Sequence, residues 1–347
     1  MKNPDEIRIA VILPVYNASP YLKECLDSLL DQEHQNFVVF AINDGSTDNS
    51  ENILNEYGAK HNKLSITHTK NGGVSVARNL ALKQIEEDRN FDLVTFCDSD
   101  DIVAPNLLSL YAQYKSAQNA DFITVGFKRF YKSGIKTSKR RINHPPQIIY
   151  GSKILQFGFS DYLKSSPASS KFTGNICLDA HKISGLRFDP TLRTGEDQDF
   201  RIRSLLRCEK SIILSDVAYF YRIRKSSLSH DDALSFRIPD FSLYINWLQN
   251  LSNIPPIARE VIENETLSQW QNCVTRAFRF GVIDQCWPRL YDLLRKIKPF
   301  LKYGNHKKTK TLLFSLGPTA IKFYFLFSKE ERRLLQRQKE EILDAFD

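Results

Sequence analysis

The residues best suited to chemistry form a short acidic segment, Asp98-Ser99-Asp100-Asp101, which directly follows the apolar run Phe91–Cys97. The run is rich in β-branched and aromatic residues and predicts a buried β-strand. Three carboxylates in four positions repel one another, and a bound divalent cation removes that repulsion. Hard cations such as Mg²⁺ bind one or two carboxylates together with substrate phosphates. The segment therefore predicts a metal site; a solvated acidic loop leading to a helix near Pro105 is the alternative.

Two other predicted strands also end in polar segments. The strand from Ile7 to Leu13 leads into Pro14-Val15-Tyr16-Asn17, and the strand from Phe37 to Ile42 leads into Asn43–Asp48. In open α/β sheets, ligands bind beyond the carboxyl ends of the strands. We therefore expect both segments to lie at the same edge as the acidic segment. Asp48 by itself is better explained as the cap of the following helix.

A loop containing two glycines, Asn71-Gly72-Gly73, leads into a predicted helix from Val74 to Ile85. The glycines allow close backbone approach and positive φ, and the helix N-terminus offers free N–H groups to a phosphate. Arg78 lies about one turn into this helix, where it can add a bidentate contact. Neither GxGxxG nor GxxxxGK[ST] follows the first strand, which argues against a Rossmann dinucleotide site and a P-loop.

The elements that must position these residues alternate between strand and helix. Such alternation predicts right-handed βαβ units and a parallel sheet covered by helices. After Asp101 the alternation fades, and the C-terminal part from about Pro239 has apolar residues at helical spacing. Besides the strands named above, the predicted elements are helices Ser19–Leu30, Asp48–Tyr57, Ala104–Ala117, Phe241–Leu251, Ala258–Phe280 and Cys286–Leu301, and strands Leu64–Thr67, Asp121–Phe130 and Ala218–Tyr221.

Composition and charge bound the class of protein. The chain has 347 residues, an ordinary hydrophobic fraction of 42% and a net charge of +8. Two segments, Lys128–Arg141 and Leu293–Lys329, contain many Lys and Arg residues and no acid, which favours an anionic partner. The six cysteines have no CxxC spacing and predict reduced core thiols. We find no signal-peptide pattern and no apolar stretch long enough to span a membrane.

The segment Thr311–Phe327 is very apolar but is interrupted at Gly317-Pro318 and Lys322. Clusters of Lys and Arg lie on both sides of it. This pattern is typical of a helix at the surface of an anionic membrane. The alternative is an amphipathic helix that packs on the rest of the protein or on a second subunit.

Five segments, taken in order and spacing, resemble the family 2 glycosyltransferases of GT-A fold. The resemblance covers about residues 7–229 and implies an inverting enzyme that uses a nucleotide sugar, typically a UDP-sugar. The rest of the chain resembles no family that we can name. The five segments are Pro14–Asn17, Asn43–Asp48, Asn71–Asn79, Asp98–Asp101 and Gly195–Phe200.

The resemblance also implies roles for single residues. Asp44 would bind the uracil edge, Asp98 would lie beside the ribose and the donor sugar, and Asp100 would bind Mn²⁺ or Mg²⁺. Asp197 would be the general base, and Glu196 would bind the acceptor or tune the base; as residues alone, both also suit the acidic first turn of a helix. Other donor-binding candidates are Pro14, Val15, Tyr16, Asn17, Asn71, Gly72, Arg78, Ser99 and Arg222, and His230 is a further candidate metal ligand.

We therefore expect an α/β protein with a GT-A, Rossmann-like, mostly parallel sheet flanked by helices and a mainly helical C-terminal extension. The expected domains are a catalytic domain over residues 1–236 and a basic helical region over 237–347, which contacts a membrane or a partner. The expected function is transfer of a hexose or N-acetylhexosamine from a UDP-sugar to a growing bacterial surface glycan, such as lipopolysaccharide or capsule. The expected location is the inner face of the cytoplasmic membrane, with a homodimer possible and no nucleic acid bound. The alternatives are a metal-dependent nucleotidyltransferase and a non-catalytic nucleotide-sugar-binding protein.

Overall fold

A computed structural model gives the fold. The chain divides into two compact units, Met1–Ile223 and Arg224–Asp347, each of which is described by itself. The described residues are 2–131, 145–150, 173–192, 195–224, 256–279, 281 and 283–300, together with 245, 247, 249, 317, 318 and 321.

The first half of unit 1 alternates strand and helix as predicted. All seven residues of the first strand are buried, because helices cover both faces of a parallel sheet. The strands lie in the order β3-β2-β1-β4, and each pair is parallel. These elements are β1 (Ile9–Val15), α1 (Leu22–Leu30), β2 (Phe37–Asp44), α2 (Ser50–Gly58), β3 (Leu64–Thr69), α3 (Val74–Asp88) and β4 (Leu93–Phe96).

The second half of unit 1 extends the same sheet with mixed pairing. Strand β8 lies between β4 and β6 and is antiparallel to both, whereas β6 and β9 are parallel. Strands β5 and β7 pair antiparallel with β9. The elements are β5 (Ile102–Val103), α4 (Leu107–Gln118), β6 (Phe122–Phe130), β7 (Gln147–Tyr150), β8 (Ile176–Asp179), α5 (Glu196–Leu205) and β9 (Lys210–Arg222).

The structure confirms the predicted α/β class and differs from the predicted elements in detail. The short strands β5, β7 and β8 were not predicted, and β9 is much longer than the predicted Ala218–Tyr221. Helix α2 begins at Ser50 with Asn49 as its N-cap, so the prediction that Asp48 caps this helix is wrong. The carboxylate of Asp48 instead accepts the N–H groups of Ser50 and Ser19 and so joins the start of α2 to the segment after β1. Burial would raise the pKa of Asp48, but these hydrogen bonds lower it to about 2. The predicted basic hairpin up to Arg141 lies largely outside the described residues.

Unit 2 contains two long helices that pack on each other, α6 (Pro256–Arg279) and α7 (Ile283–Ile297). The indole N–H of Trp270 donates to the carbonyl oxygen of Leu290 at 2.7 Å. Apolar residues of α7 face inward, as their spacing predicts: Ile283, Leu290, Leu294 and Ile297. Within the described part of the chain, no helix is both long and apolar enough to cross a membrane. All six cysteines are free thiols, and five are buried.

Candidate active site

The predicted site residues are brought together by the parallel half of the sheet. Strand β1 lies between β2 and β4, so the segments that follow these three strands lie at one edge. Helix α3 approaches the same edge, because the loop before it is bound to the end of β2. Helix α5 completes the site through its first turn, which begins at Glu196.

The loop before α3 is held by Asp44, the last residue of β2. Its two carboxylate oxygens accept the backbone N–H groups of Gly72 and Gly73, each at 2.8 Å. The next residue, Gly45, has φ +68, and a Cβ there would come within 2.7 Å of the backbone nitrogen of Asn71. Only glycine suits both the left-handed conformation and this close approach. Asp44 is itself buried.

The segment after β1 pairs with the segment after β2. Asn17 has a positive φ of 48°, and its side-chain oxygen accepts the backbone N–H of Thr47 at 2.8 Å. The backbone N–H of Asn17 donates to the hydroxyl of Ser46 at 3.1 Å. Pro14 and Val15 are buried, whereas the side chain of Tyr16 is 51% exposed. The segment therefore presents one large aromatic ring to solvent at the edge where the strands end.

The three carboxylates after β4 have different environments. Asp101 is fully buried; its two oxygens accept the hydroxyl of Tyr219 at 2.5 Å and the backbone N–H of Arg222 at 2.7 Å. Burial and the neighbouring Asp98 and Asp100 raise the pKa of Asp101 well above its usual range. Asp98 and Asp100 are half-buried. Asp98 and Asp100 thus remain partly accessible, whereas Asp101 anchors the segment to β9.

Arg222 binds the backbone of the acidic segment. Its buried guanidinium donates from Nε to the carbonyl oxygen of Asp100 at 2.6 Å and pairs with Glu24 on α1 at 2.6 Å. It also lies over the rings of Tyr21 and Phe130. In this structure Arg222 therefore fixes the backbone at Asp100. The predicted contact with donor phosphates stays a prediction.

Arg78 on α3 joins the two acidic parts of the site. It is buried, with 4% of its side chain exposed, and pairs with Asp98 at 3.0 Å and with Glu196 at 3.3 Å. Among the residues that the structure describes, its Nε has no hydrogen-bond partner. Burial would lower the pKa of Arg78, but Asp98, Asp197 and Glu196 raise it. One fixed cation thus holds carboxylates from β4 and α5 together.

Asp197 is a half-buried carboxylate in the first turn of α5. Burial and the adjacent Glu196 raise its pKa to about 7, although Arg78 opposes this rise. A carboxylate with a pKa near neutrality can take a proton during a reaction and release it afterwards. The preceding Gly195 has φ +83 and starts the helix at this point. The acidic first turn is therefore a functional candidate rather than a helix cap alone.

The structure brings most of the predicted residues together. Direct hydrogen bonds or ion pairs join Asp44 to the Gly72 loop, and Arg78 to Asp98 and Glu196. Asn71 lies in the loop with Gly72, and Ser99 follows Asp98 in the acidic segment. His230 lies outside the described residues. Sequence reasoning missed Tyr219 and Asn79 as supports of the site. Asn79 was visible in the motif beside Arg78, but nothing in the sequence pointed to Tyr219.

The donor set of the acidic segment fits a hard divalent cation. Asp98 and Asp100 supply two half-buried carboxylates in one segment, and Mg²⁺ or Mn²⁺ commonly binds one or two carboxylates plus phosphate oxygens. Asp101 is not available, because it is completely buried, with 0% exposure, and its carboxylate is turned toward Tyr219 and Arg222 within the fold. Among the described residues, no group of three or more His, Cys, Asp or Glu side chains is arranged to hold a metal without other ligands. The residues therefore fit a cation that is shared with a phosphorylated ligand.

Comparison with known proteins assigns the family. The sequence profile described as "Glycosyl transferase family 2" matches residues 10–184. The chain is 27% identical over 226 residues to an uncharacterized glycosyltransferase, EpsJ, of Bacillus subtilis, which covers 64% of this chain and 62% of EpsJ. It is 29% identical over 222 residues to the poly(ribitol-phosphate) β-N-acetylglucosaminyltransferase TarS of Staphylococcus aureus, covering 63% of this chain and 36% of TarS. The matched regions thus span less than two thirds of the length of these two relatives.

Solved structures agree on the fold. A crystal structure of a TarS fragment of Staphylococcus aureus in complex with UDP-GlcNAc superposes with a TM-score of 0.64 at 22% identity, covering 85% of this chain and 82% of that one. A mannosyltransferase of Pyrobaculum calidifontis, in complex with GDP-Man and Mn²⁺, superposes with a TM-score of 0.55 at 15% identity, covering 95% of this chain and 90% of that one.

The chain belongs to glycosyltransferase family 2 and has the GT-A fold. Both predictions are confirmed. The alternative of a nucleotidyltransferase is not supported by this assignment.

Proposed function

We propose that this protein is an inverting glycosyltransferase that moves a sugar from a UDP-sugar to a hydroxyl group of a bacterial cell-surface polymer. One observation carries the proposal: Asp197, with a pKa raised to about 7, belongs to a cluster in which Arg78 pairs with Asp98 of the proposed donor site. A base poised near neutral pH beside a donor site is what a single displacement at a sugar carbon requires.

The donor would bind at the edge where β1, β2 and β4 end. Asp44 accepts two N–H groups in this structure, one on each oxygen, and a carboxylate oxygen has a second lone pair for a uracil N–H. Asp98 and Arg78 would contact the ribose or sugar. The other proposed donor residues are Pro14 and Val15 at the end of β1, Tyr16 and Asn17 after it, Asn71 and Gly72 before α3, Ser99 after β4 and Arg222 at the end of β9. The complex of a TarS fragment with UDP-GlcNAc supports a UDP-sugar as the donor.

Asp100, together with Asp98, would hold Mn²⁺ or Mg²⁺, and the bound cation would neutralise charge on the leaving nucleoside diphosphate. Arg222 holds the backbone of Asp100 in place through its 2.6 Å contact with the carbonyl oxygen. The role of His230 as a further ligand remains a proposal from sequence. The Mn²⁺ in the Pyrobaculum calidifontis mannosyltransferase complex is consistent with this assignment.

Asp197 would accept the proton of the acceptor hydroxyl as that oxygen attacks the anomeric carbon. Departure of UDP on the opposite face then inverts the configuration, as one displacement does in inverting glycosidases. Glu196 would assist through its effect on Asp197, because its negative charge helps to raise the pKa of the base. Arg78 keeps Glu196 in place through the 3.3 Å ion pair.

The acceptor is proposed from the relatives and from charge. TarS is named for poly(ribitol-phosphate), a polymer of polyol phosphate, and the net charge of +8 favours an anionic acceptor. A growing lipopolysaccharide or capsule chain is one such acceptor. We retain the wider class, a hydroxyl-bearing cell-surface polymer. The basic C-terminal region would bring the enzyme to an anionic membrane surface.

The direct test is a screen of UDP-sugars for release of UDP, with and without Mn²⁺. We expect one or two donors to be hydrolysed slowly in the absence of acceptor, and excess EDTA to stop the reaction. Asp100→Ala should lose UDP release and Mn²⁺-dependent UDP binding while keeping its fold. Full activity of the wild type in excess EDTA would contradict the metal assignment. Tight UDP binding without turnover of any donor would favour a non-catalytic binding protein.

A further inference from the structure

Asn79 makes a two-way contact with a distant loop. Its side-chain nitrogen donates to the carbonyl oxygen of Phe188 at 2.8 Å, and its side-chain oxygen accepts the backbone N–H of the same residue at 2.7 Å. The two residues are 109 positions apart in the chain. An amide that satisfies both backbone groups of one residue fixes that residue in position and in orientation. Asn79 therefore determines where the Phe188 ring lies.

The Phe188 ring is part of a buried aromatic cluster. It stacks on Phe200 of α5 with the ring centres 4.0 Å apart and the planes within 4° of parallel. Phe96, the last residue of β4, packs edge-on against both rings, at 5.6 Å and 5.7 Å. All three rings are at most 1% exposed. The cluster thus joins the end of β4 to α5.

The elements in this cluster carry the reactive groups. Phe96 precedes Asp98 by two residues, and Phe200 follows Asp197 by three residues on α5. The guanidinium carbon of Arg78 lies 5.1 Å from the centre of the Phe188 ring, within the range of a cation–π contact. The ring that Asn79 fixes therefore underlies the ion pairs from Arg78 to Asp98 and Glu196. It also supports the helix that bears Asp197.

We propose that Asn79 is a positioning residue for sugar transfer, which acts through the Phe188 ring on Arg78 and on the first turn of α5. The inference rests on the proposed role of Asp197 as the general base. Without the Asn79 amide, the Phe188 backbone loses both partners and the ring is free to shift. A shift of the Phe188 ring would displace Arg78 and the first turn of α5. Turnover would then fall, because general-base catalysis depends on the position of the base.

The test compares Asn79→Ala with Glu86→Ala. Glu86 joins the other end of α3 to the same loop, by accepting the N–H of Gly185 at 2.7 Å and pairing with Arg187, but it has no contact with the aromatic cluster among the described contacts. Both variants lose a link between α3 and that loop. We expect Asn79→Ala to lower kcat about 10- to 100-fold with the Kd of UDP within about twofold of wild type, and Glu86→Ala to retain kcat.

Phe188→Leu serves as the second variant, because it removes the ring and leaves the Asn79 contact in place. It should also lower kcat without weakening UDP binding, and it decides the outcome if Asn79→Ala does not fold. Unchanged kcat in Phe188→Leu, or in folded Asn79→Ala, would overturn the inference. A loss of kcat in Glu86→Ala equal to that in Asn79→Ala would also overturn it. The loss of kcat would then come from the weakened link between α3 and the loop and not from the position of the Phe188 ring.

Wild type and Asp197→Asn are measured in parallel. If the wild type turns over no UDP-sugar, or if Asp197→Asn is fully active, the proposed function fails and the inference with it. If Asp197→Asn is inactive but Asn79→Ala and Phe188→Leu are active, only the positioning role of Asn79 fails.

Discussion

At the scale of single residues, the site depends on carboxylates with the same side chain but different environments. Asp98 faces Arg78, Asp101 is buried against Tyr219 and Arg222, and Asp197 is half-buried beside Glu196. Burial and neighbouring carboxylates raise the pKa of Asp101 and of Asp197. These differences assign the proposed roles: Asp98 to the donor, Asp101 to the fold and Asp197 to proton transfer.

The raised pKa of Asp197 predicts how activity depends on pH. A general base must be ionised, so kcat/KM should fall as pH drops below about 7, the value to which burial and Glu196 raise the pKa. The measurement is a pH–rate profile of UDP release or transfer. The acid limb of the profile should remain near pH 7 in the control variant Asp189→Asn. The carboxylate that this variant loses bonds only to Thr191 among the described hydrogen bonds. An acid limb near pH 4 would contradict the assignment of Asp197.

The sequence predicted the acidic segment but not the different environments of its three carboxylates. Asp98, Asp100 and Asp101 are equivalent by type and spacing, and only the fold shows that Asp101 faces inward. The deciding partners, Tyr219 and Arg222, lie about 120 residues further along the chain. Short-range patterns carry no information on such contacts. The same reason explains why the contact between Asn79 and Phe188 could not be predicted.

At the scale of elements, the end of β2 and the loop before α3 are joined, because Asp44 binds the N–H groups of Gly72 and Gly73. Strands with apolar residues and helices with clear periodicity were predicted well, because those signals are local. The four-residue strand β8 was missed, since a run of this length between β4 and β6 has no periodicity to read. Its antiparallel pairing with both neighbours explains why the sheet is not parallel throughout.

Gly45 tests the role of the loop in donor binding. Gly45→Ala should raise the Kd of UDP, because the new Cβ would meet the backbone of Asn71 at 2.7 Å and displace the loop that Asp44 holds. The matched control is Gly185→Ala, because Gly185 has a similar φ of +74 but a Cβ there would meet no atom of the described residues within 4 Å. Both variants should lose about 1–2 kcal/mol of stability from the left-handed backbone.

Calorimetric titration with UDP separates the two variants. Only Gly45→Ala should bind UDP more weakly. Equal UDP affinity in the two variants would show that the loop does not form part of the donor site.

At the scale of the whole molecule, the described site residues lie in unit 1, whereas the basic C-terminal run begins in unit 2. The described part of α7 is amphipathic: its apolar side packs inward, and Arg289, Arg295 and Lys296 are exposed. The Lys-rich segment that follows, and the apolar segment Thr311–Phe327, lie largely outside the described residues. The membrane-surface interpretation therefore remains a prediction from sequence.

Liposome sedimentation tests that prediction. Binding should require anionic lipid and should weaken as salt rises, because each Lys near the surface contributes about 1 kcal/mol and the attraction decays over a Debye length. Replacing Lys302, Lys307, Lys308 and Lys310 with Gln should weaken sedimentation and leave UDP release unchanged. If the wild type does not sediment with liposomes of any charge, the apolar segment Thr311–Phe327 is a packing helix or a subunit contact instead.

The central claim is that Asp197 is the base of a sugar transfer, and Asp197→Asn tests it most directly. The amide keeps the shape of the side chain but cannot accept the proton. Turnover of the UDP-sugar found in the screen should therefore fall about 10²- to 10⁴-fold, while calorimetry shows UDP affinity unchanged and Asp189→Asn stays active. Turnover close to wild type in Asp197→Asn, or a loss of UDP binding in step with turnover, would contradict the claim.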